Sequence, residues 1–374
     1  MERRLCIVNL YARALFQPAV AAPFGGSEVQ MAGLARAFAR RPGWRVSMVV
    51  GDFGQPPREE IEGITFIRSV RVGQLNLLAR LLNSRRYLRA FREADADLYL
   101  ITADAGTLIW RLARFCRRHG RRLVNRVSSD SYADAGFLSD DPVRAHLYER
   151  ALRQCDLVVA QNAGQVVNLR ELFGVYAVTV NALGPPVLDE AEQPQRRHVL
   201  WVGRARRMKR PELFMELAEA LPHQSFVMIL SPDEPDFAET VERAARLVHN
   251  LTLVPGVPPS AMRDYYLSAK VLVNTSDYEG FPSTFVEAFC AGVPVVSLHA
   301  DPDELLSRQE LGCCARGDMD DLVAGVRKLV ENSQHWRQVS LRALEYARQH
   351  YDPERVVARY EELFKLALEK GKRP

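Results

Sequence analysis

Short apolar runs alternate with amphipathic stretches along most of the chain, and this alternation is typical of parallel α/β domains. In the first half the apolar runs predict strands near 5–10, 45–51, 62–68, 97–102, 122–127, 156–160 and 176–180. Stretches with helical spacing separate these runs, near 27–41, 74–94, 105–119, 141–153 and 163–173. Because strands joined by helices form right-handed crossover units, we expect a parallel sheet.

The pattern is interrupted at residues 181–197, where three prolines, a glycine and several polar residues predict a linker. It then starts again, with strands predicted near 198–203, 225–230, 251–255, 270–275, 293–298 and 312–315. The intervening helices are predicted near 211–221, 235–248, 260–268, 283–291 and 318–331, followed by a helical tail from about 334 to 370 that bends near Asp352-Pro353. We therefore predict an N-terminal domain over 1–180, a C-terminal domain over 198–350 and a last helix within 351–374.

Two glutamates flank one predicted helix start. Glu279 falls in the loop after the strand near 270–275, and Glu287 falls just over one turn into the next helix. The first turn, at Ser283 and Thr284, offers unpaired N–H groups and the positive end of the helix dipole, which favour a phosphate. A solvated acidic pair is the alternative, but Glu287 is embedded in the apolar run 285–289, where a charge needs a partner.

A cationic loop follows the predicted strand near 198–203. Its basic residues are Arg204, Arg206, Arg207, Lys209 and Arg210. Such a loop at the carboxyl end of a strand would neutralise a diphosphate. The alternative is a solvated basic loop, which we favour for Arg206 and Arg207.

Two further segments carry weaker signals. Gly25 and Gly26 follow the first strand and open the first helix, where glycine permits close approach of the backbone to an anion. Val257 follows the strand near 251–255 in a Gly-Val-Pro turn that also describes an ordinary strand end. The sequence contains no dinucleotide fingerprint and no P-loop.

Taken together, these segments resemble glycosyltransferase family 4, with its two glutamates eight positions apart, its Glu-Gly-Phe-Pro turn and its Gly-Arg…Lys loop. The resemblance implies the GT-B fold, in which two Rossmann-like domains face a central cleft and the last helix crosses back to the first domain. It implies that Arg204 and Lys209 hold the leaving diphosphate. Glu279 would orient the donor sugar, and Glu287 the ribose. The other implied donor contacts are Gly25, Gly26, Val257, Gly280, Phe281, Ser283 and Thr284.

The first domain departs from the family pattern at one position. Many members end a middle strand with a His-Asp pair whose histidine touches the donor sugar, whereas this chain has Ser129 and Asp130 and no histidine there. Either residue could take that place. A plain polar turn after the strand is an equally good interpretation.

The resemblance predicts a retaining glycosyltransferase that moves a hexose-type sugar from a UDP- or GDP-linked donor to a hydroxyl acceptor. We expect no cofactor beyond this substrate. A lipid-linked intermediate of bacterial surface polysaccharide or glycolipid synthesis is the expected acceptor. The alternatives are an enzyme like the sugar-nucleotide 2-epimerases and a non-catalytic sugar-nucleotide binder.

Charge is distributed unevenly along the chain. Residues 1–175 carry 26 arginines and 17 acidic residues, net +9, whereas the remainder carries 24 basic and 29 acidic residues, net −5. A basic first half favours an anionic acceptor. Arginines 80, 85, 86, 89 and 92 alternate with leucines in one predicted helix, which could rest on an anionic membrane surface or simply pack on the sheet. Nucleic acid is not expected, because no recognition motif accompanies the charge.

The remaining composition indicates a cytoplasmic protein, peripheral on the inner face of the cytoplasmic membrane if it binds one. The six cysteines form no C-x-x-C pair, which favours free thiols in a reducing compartment. The N-terminal apolar stretch is better interpreted as a first strand than as a signal peptide, since Asn9 and Arg13 interrupt it. Asp95-Ala-Asp97 and Asp301-Pro-Asp303 match a D-x-D metal motif formally, but we predict no metal requirement because the cationic loop can serve the phosphates.

Overall fold

The computed structural model describes residues 2–17, 24–71, 77–102, 106–134, 141–189, 192 and 195–369, with the backbone alone for 77–82 and 131. The predicted helix starts at 74 and 105, part of the predicted linker and the end of the tail fall outside these residues. The chain divides into two compact units, Met1–Leu183 with Glu354–Pro374, and Gly184–Pro353. Each unit is built around one sheet.

The first unit contains an eight-stranded sheet in the order β3-β4-β2-β1-β5-β6-β7-β8. Its strands are β1 (Arg3–Val8), β2 (Trp44–Asp52), β3 (Arg58–Ile61), β4 (Ile64–Arg71), β5 (Leu98–Ile101), β6 (Arg122–Arg126), β7 (Leu157–Ala160) and β8 (Val178–Thr179). The helices between them are α1 (Gly26–Ala39), α2 (Leu77–Ala94), α3 (Thr107–Arg118), α4 (Pro142–Leu152) and α5 (Ala163–Phe173). Two buried apolar clusters, one on each face of the sheet, form the core.

One strand of this sheet was not predicted. Strand β3 pairs antiparallel with β4 through a turn at Glu62 and Gly63, whose φ angles are 54° and 73°. Positive φ at both turn residues matches the twist of a two-residue hairpin. The residues of β3, Arg-Glu-Glu-Ile, form no apolar run. The charges suit an edge strand, which natural proteins protect from further pairing.

The second unit contains a six-stranded parallel sheet in the order β11-β10-β9-β12-β13-β14. Its strands are β9 (His198–Arg204), β10 (Ser225–Ser231), β11 (Leu251–Pro255), β12 (Ala269–Asn274), β13 (Val295–Ser297) and β14 (Gly312–Cys314). Its helices are α6 (Pro211–Ala220), α7 (Pro235–Ala245), α8 (Pro259–Ser268), α9 (Ser283–Cys290), α10 (Leu305–Arg308), α11 (Met319–Glu331) and α12 (Ser333–His350). The predicted pair of parallel-sheet α/β domains is confirmed.

A last helix, α13 (Pro353–Glu369), belongs to the core of the first unit. The Phe364 ring stacks on Phe38 of α1 with centroids 5.3 Å apart. The indole of Trp44 donates a hydrogen bond of 3.2 Å to Glu361. The helical tail is thus two helices, broken at Asp352-Pro353 because proline cannot continue the first. The predicted limits 1–180 and 198–350 stay predictions, since compactness does not define domains that fold alone.

Helix α2 exposes arginine and buries its described apolar residues. Tyr87 and Phe91 lie in the core of the first unit, whereas the arginines at 85, 86, 89 and 92 are exposed. The described part of the helix therefore packs on the sheet and presents a cationic surface. Among the described residues, no helix is both long enough and apolar enough to cross a bilayer.

Candidate functional site

Most of the predicted site residues lie at the carboxyl ends of β9 and β12 and at the start of α9. Arg204 ends β9, a 3-10 turn at Arg207–Lys209 follows it, and Glu279 lies in the loop between β12 and α9. Strands β9 and β12 are hydrogen-bonded neighbours. Both loops therefore leave the sheet at the edge where open parallel sheets bind ligands.

Lys209 and Glu279 form an ion pair between Nζ and Oε1. The hydroxyl of Ser276 donates to the same oxygen at 2.7 Å, and the Asn274 amide does so at 3.4 Å. Three donors thus converge on one carboxylate oxygen. The pair is largely buried, with 21% and 14% of the two side chains exposed.

The backbone around this pair is held by hydrogen bonds between the two loops. The Thr275 hydroxyl donates to the carbonyl of Lys209 at 2.8 Å and accepts from the indole of Trp201 at 2.9 Å. The amide of Asp277 donates to the carbonyl of Met208 at 2.9 Å. The contact of Lys209 with Glu279 therefore rests on a fixed backbone rather than on two freely rotating side chains.

Glycine at position 203 leaves room for the Trp201 indole, which donates the hydrogen bond to Thr275. A Cβ atom there would lie 2.5 Å from Cη2 of Trp201, closer than side chains approach. Any larger residue would displace the indole and with it the hydrogen bond to Thr275. The predicted Gly-Arg pair is thus explained by packing as well as by the charge of Arg204.

Arg204 is paired with Asp233, which sequence reasoning missed. Its Nη1 lies 3.2 Å from Asp233 Oδ2, and Nε of Arg206 contacts the same oxygen. Asp233 follows the carboxyl end of β10, a position that could have suggested it. Arg207 lies over the ring of Phe237, 5.0 Å from its centroid, so the structure separates it from the Lys209 pair.

Arg210 forms ion pairs with carboxylates other than Glu279. Its φ is 50°, the left-handed region that non-glycine residues seldom adopt. Its guanidinium contacts Glu212 and lies 3.0 Å from Asp277. Lys209, in the same cationic loop, is the residue whose ion pair with Glu279 the structure records.

Helix α9 begins without a side-chain cap. Its N-cap residue is Pro282, which supplies no hydrogen-bond acceptor from its side chain. Ser283 and Thr284 are half-buried in the first turn. A helix start of this kind favours an anionic ligand through its N–H groups and dipole.

Gly280 and Phe281 lie between Glu279 and this helix. Gly280 is buried and Phe281 is half-buried. The Phe281 ring packs edge-on against Tyr351, with centroids 6.2 Å apart. The aromatic contact gives Phe281 a packing role in the described structure, alongside its predicted contact with the donor.

Glu287 lies beside the hydroxyl of Tyr266 on α8. Burial raises the pKa of Glu287 to about 7, and the proximity of the Tyr266 hydroxyl acts in the opposite direction. The phenol of Tyr266 is 2% exposed, and its burial raises its own pKa well above the usual value. Burial therefore disfavours the ionised form of Glu287, and hydrogen bonds from bound hydroxyl groups would stabilise that form.

Arg196 holds the ends of the helices that carry this pair. Its guanidinium donates to the carbonyls of Tyr266 and Ala269 at 3.0 and 3.3 Å and to that of Ala291 at 2.7 Å. It also lies over the Trp336 ring, 5.4 Å from the centroid. Burial lowers the pKa of Arg196 to about 10. The sequence placed Arg196 in a linker, because composition does not show which arginines meet carbonyls.

Val257 is not brought together with the Lys209 pair. It follows β11, the edge strand, which is separated from β9 by β10. At the usual spacing of parallel strands, β9 and β11 are about 10 Å apart. That distance leaves Val257 for a different part of an extended ligand.

In the first unit, Gly25 and Gly26 begin α1 as predicted. The amide of Gly25 donates to Glu28 at 2.8 Å, and the Ser27 hydroxyl donates to the same carboxyl at 2.9 Å. The Asn9 amide donates to it at 3.4 Å. Glu28 therefore organises this loop.

Ser129 and Asp130 lie after β6 in a polar turn. The Asp130 carboxylate accepts hydrogen bonds from Asn162 at 3.0 Å and from Gln165 at 2.7 Å. Asn162 is the N-cap of α5. This network ties Asp130 to the start of a helix, and a donor contact at Ser129 or Asp130 stays a prediction.

The two D-x-D sequences have structural partners. Asp95 and Asp97 form ion pairs with Arg4 and Arg121. Asp301 accepts a hydrogen bond of 2.7 Å from the amide of Leu306. Over the described residues, no cluster of three or more potential metal ligands occurs. The predicted independence of metal stays a prediction.

Comparison with known families matches both halves of the chain. The family model described as Glycosyl transferases group 1 matches residues 189–350, and the one described as Glycosyltransferase Family 4 matches residues 24–186. Among curated proteins, the chain is similar to D-inositol 3-phosphate glycosyltransferase of Nocardiopsis dassonvillei. The two are 24% identical over 92% of this chain and 90% of the relative.

Solved structures with a similar fold include two that cover nearly all of the chain. Sucrose-phosphate synthase of Thermosynechococcus elongatus superposes with a TM-score of 0.79 at 16% identity, over 99% of this chain and 100% of the other. Anabaena HepE in complex with UDP superposes with a TM-score of 0.73 at 14% identity, over 97% and 99%. At such identities the likeness shows the fold, which is of the GT-B type.

Proposed function

We propose, from the premise that this chain belongs to glycosyltransferase family 4, that it transfers a hexose-type sugar from a nucleoside-diphosphate sugar to a hydroxyl acceptor with retention of configuration. The observation that carries the proposal is the Lys209–Glu279 pair beside Arg204 and the start of α9. It combines cations for a diphosphate with a carboxylate for sugar hydroxyls. The UDP bound to the HepE structure supports a nucleotide donor.

The proposed roles follow from what each group can offer. Arg204, Lys209 and the first-turn amides of α9 would stabilise the charge that develops on the leaving diphosphate. Glu279 would accept hydrogen bonds from the sugar, and Glu287 from the ribose. Lys209 contacts Glu279 in the described structure, so a bound donor would supply a new partner to each.

Bond changes in the proposed reaction are confined to the donor and the acceptor. The bond from the anomeric carbon to the diphosphate oxygen breaks, and the acceptor oxygen bonds to that carbon on the same face. The acceptor proton passes to an oxygen of the leaving diphosphate. The protein's share is to position the reactants and to stabilise negative charge.

An anionic acceptor, lipid-linked at the cytoplasmic membrane, fits the charge of the first half of the chain. Residues 1–175 carry a net charge of +9, and α2 presents exposed arginines. The Nocardiopsis relative is named for D-inositol 3-phosphate, which carries a phosphate. The relatives named as glycosyltransferases favour transfer over the epimerase-like and non-catalytic alternatives.

Replacing Lys209 by alanine tests the phosphate assignment. We expect Lys209→Ala to weaken UDP or GDP binding about 10-fold and to lower turnover about 10²-fold, because a charge-assisted contact to the diphosphate is lost. A thermal-shift panel of UDP- and GDP-linked sugars measures binding, since a ligand specific to the folded state raises the unfolding temperature. Release of nucleoside diphosphate measures turnover.

Arg207→Ala is the matched control, because it removes a cation from the same loop that stacks on Phe237. The control should behave like the wild type. If binding and turnover fall equally in both variants, the effect comes from the overall charge of the loop, and the specific assignment of Lys209 to the diphosphate is wrong. A wild-type protein that responds to no nucleotide sugar would refute the proposed donor class.

Membrane association can be tested through α2. Changing Arg85, Arg86 and Arg89 together to alanine should weaken partition onto anionic vesicles about 10²-fold, since each basic residue near such a surface contributes about 1 kcal/mol. Cosedimentation with vesicles containing phosphatidylserine measures it. The control is the triple alanine variant at Arg243, Arg246 and Arg327, which loses the same charge from exposed positions of the second unit. Equal partition of both variants would favour α2 as a plain core helix.

A further inference from the structure

Three buried polar side chains form a row at the carboxyl end of the first sheet. Asn9 follows β1, Thr102 follows β5, and Arg126 ends β6. Their exposed fractions are 3%, 3% and 4%. Side chains of this kind are seldom so buried without a polar partner.

The strand register makes these three positions neighbours. Ile101 of β5 is the register partner of Val8 in β1 and of Asn125 in β6. The next residue on each strand is a member of the row. Adjacent parallel strands lie about 4.8 Å apart, so long side chains on neighbouring positions can bind one group.

The side chains of Thr102 and Arg126 face the same layer. Two residues earlier on their strands, Leu100 and Val124 belong to the apolar cluster under α1 and α13. Because side chains alternate between faces along a strand, Thr102 and Arg126 continue that face. The contact of Arg126 with Tyr360 on α13 agrees with this direction.

Arg126 has no anionic partner among the residues that the structure describes. Its described partner is the phenol of Tyr360, also buried. At the other end of the same strand, Arg122 lies 3.0 Å from the carboxylate of Asp156. A cation buried without a counter-charge is costly, so Arg126 is a position where a bound anion would be stabilised.

Thr102 supplies an independent second observation. Its hydroxyl oxygen is buried and has no hydrogen-bond partner within the described part of the chain. An unpaired buried hydroxyl destabilises the folded state, because its bonds to water are lost and not replaced. Asn9, by contrast, donates to Glu28 and accepts from two backbone amides. The row therefore offers an unpaired hydroxyl at Thr102 and, at Arg126, a guanidinium without an anionic partner among the described residues.

We propose that Arg126 and Thr102 bind a phosphate group of the acceptor substrate. Guanidinium and hydroxyl donors match the oxygens of a phosphate, and the net charge of +9 over residues 1–175 attracts one. The donor diphosphate is assigned to the second unit, which leaves this position to the acceptor. The inference rests on the proposed function for that assignment, but the binding of phosphate itself does not.

Inorganic phosphate is the probe that tests the site. The full chain, saturated with UDP so that the donor position is filled, is titrated with phosphate at constant ionic strength and its unfolding temperature is followed. A phosphate-dependent rise is expected in the wild type. Arg126→Met should lose it, with an apparent affinity at least about 10-fold weaker, and Thr102→Val should weaken it several-fold.

Arg204→Met is the matched control. It should lose the response to UDP and keep the response to phosphate, which separates the two sites. If the wild type does not respond to UDP, the proposed donor class is contradicted. The phosphate response of the same protein still tests the site at Arg126 and Thr102. An equal phosphate response in the wild type, Arg126→Met and Thr102→Val overturns the inference.

Should Arg126→Met fail to fold, the nearly isosteric Thr102→Val decides. Removal of an unpaired buried hydroxyl should raise the unfolding temperature without phosphate. Together with a weakened phosphate response, this result supports the site. A raised unfolding temperature with an unchanged phosphate response overturns it.

A second experiment distinguishes a soluble phosphate from a lipid phosphate. Vesicles of phosphatidylcholine with and without phosphatidic acid are compared for binding to the wild type and Arg126→Met. Binding that requires both phosphatidic acid and Arg126 assigns a lipid phosphate. A response to inorganic phosphate without such vesicle binding assigns a soluble one. If neither the response to inorganic phosphate nor the vesicle binding depends on Arg126, the inference is overturned.

Discussion

Glu279→Gln should lower the turnover number about 10³-fold while the affinity for nucleoside diphosphate stays at or above that of the wild type. The carboxylate accepts hydrogen bonds from Ser276 and Asn274 and pairs with Lys209. Glutamine keeps the shape, but one of its two terminal groups becomes a donor and the negative charge is lost. The sugar would lose its acceptor, whereas Lys209 would be released for the diphosphate.

Steady-state release of nucleoside diphosphate gives the turnover number, and calorimetric titration with UDP or GDP gives the affinity. The matched control is Asp277→Asn, which removes a carboxylate from the same loop that pairs with Arg210 instead. The control should retain most of the activity. Near-normal turnover of Glu279→Gln would remove the sugar-orienting role of this residue.

Glu287→Gln should stabilise the protein at pH 8 and weaken nucleotide binding about 10-fold. The pKa of Glu287 is raised from 4.5 to about 7, chiefly by burial. Between about pH 4.5 and pH 7, Glu287 is therefore largely protonated in the folded state and largely ionised in the unfolded state. The stability associated with this proton is fully present below about pH 4.5 and is lost as the pH rises to about 7.

The size of this effect follows from the shift. A rise from 4.5 to about 7 corresponds to about 3 kcal/mol at pH 8, because each pKa unit is about 1.4 kcal/mol. The neutral amide of Glu287→Gln does not titrate, so the variant does not lose this stability as the pH rises. Its unfolding temperature should exceed that of the wild type by several degrees at pH 8 and match it at pH 4.

Thermal unfolding from pH 4 to 8 measures the stability difference, and UDP titrations at pH 6 and pH 8 measure binding. Wild-type affinity should rise with pH more steeply than that of Glu287→Gln, since ribose hydroxyls favour the ionised carboxylate. Glu239→Gln, at an exposed position of α7, controls for the loss of one carboxylate. Parallel stability curves for the wild type and Glu287→Gln would show that Glu287 is not titrating in this range.

The alternation of apolar and helical segments was enough to predict both sheets. Periodicity reports burial directly, so strands buried on both faces, such as Val271–Asn274 in β12, are easily recognised. Strand β3 was missed because an exposed edge strand needs no apolar run. The break between α12 and α13 was predicted from Pro353, whose geometry is fixed whatever the tertiary context.

The site was only partly accessible from the sequence. Lys209 and Glu279 were singled out by motif, but Asp233 and Arg196 were not, because their partners are distant in sequence. Arg196 meets carbonyls 70 to 95 positions away. Pairings of that kind depend on how helix ends pack, and no local pattern encodes them. The conformation of Arg210 was equally hidden, since positive φ in a non-glycine residue is imposed by its surroundings.

Helix α13 has a consequence for how the chain folds during synthesis. The hydrogen bond between Trp44 and Glu361 spans 317 positions, which translation takes tens of seconds to cover. During that interval the apolar surface around Phe38 and Trp44 stays uncovered, because the Phe364 ring that packs on it has not yet been synthesised. The first unit to emerge from the ribosome is thus the last to complete its core, and apolar surface left exposed in this way favours aggregation until α13 is added.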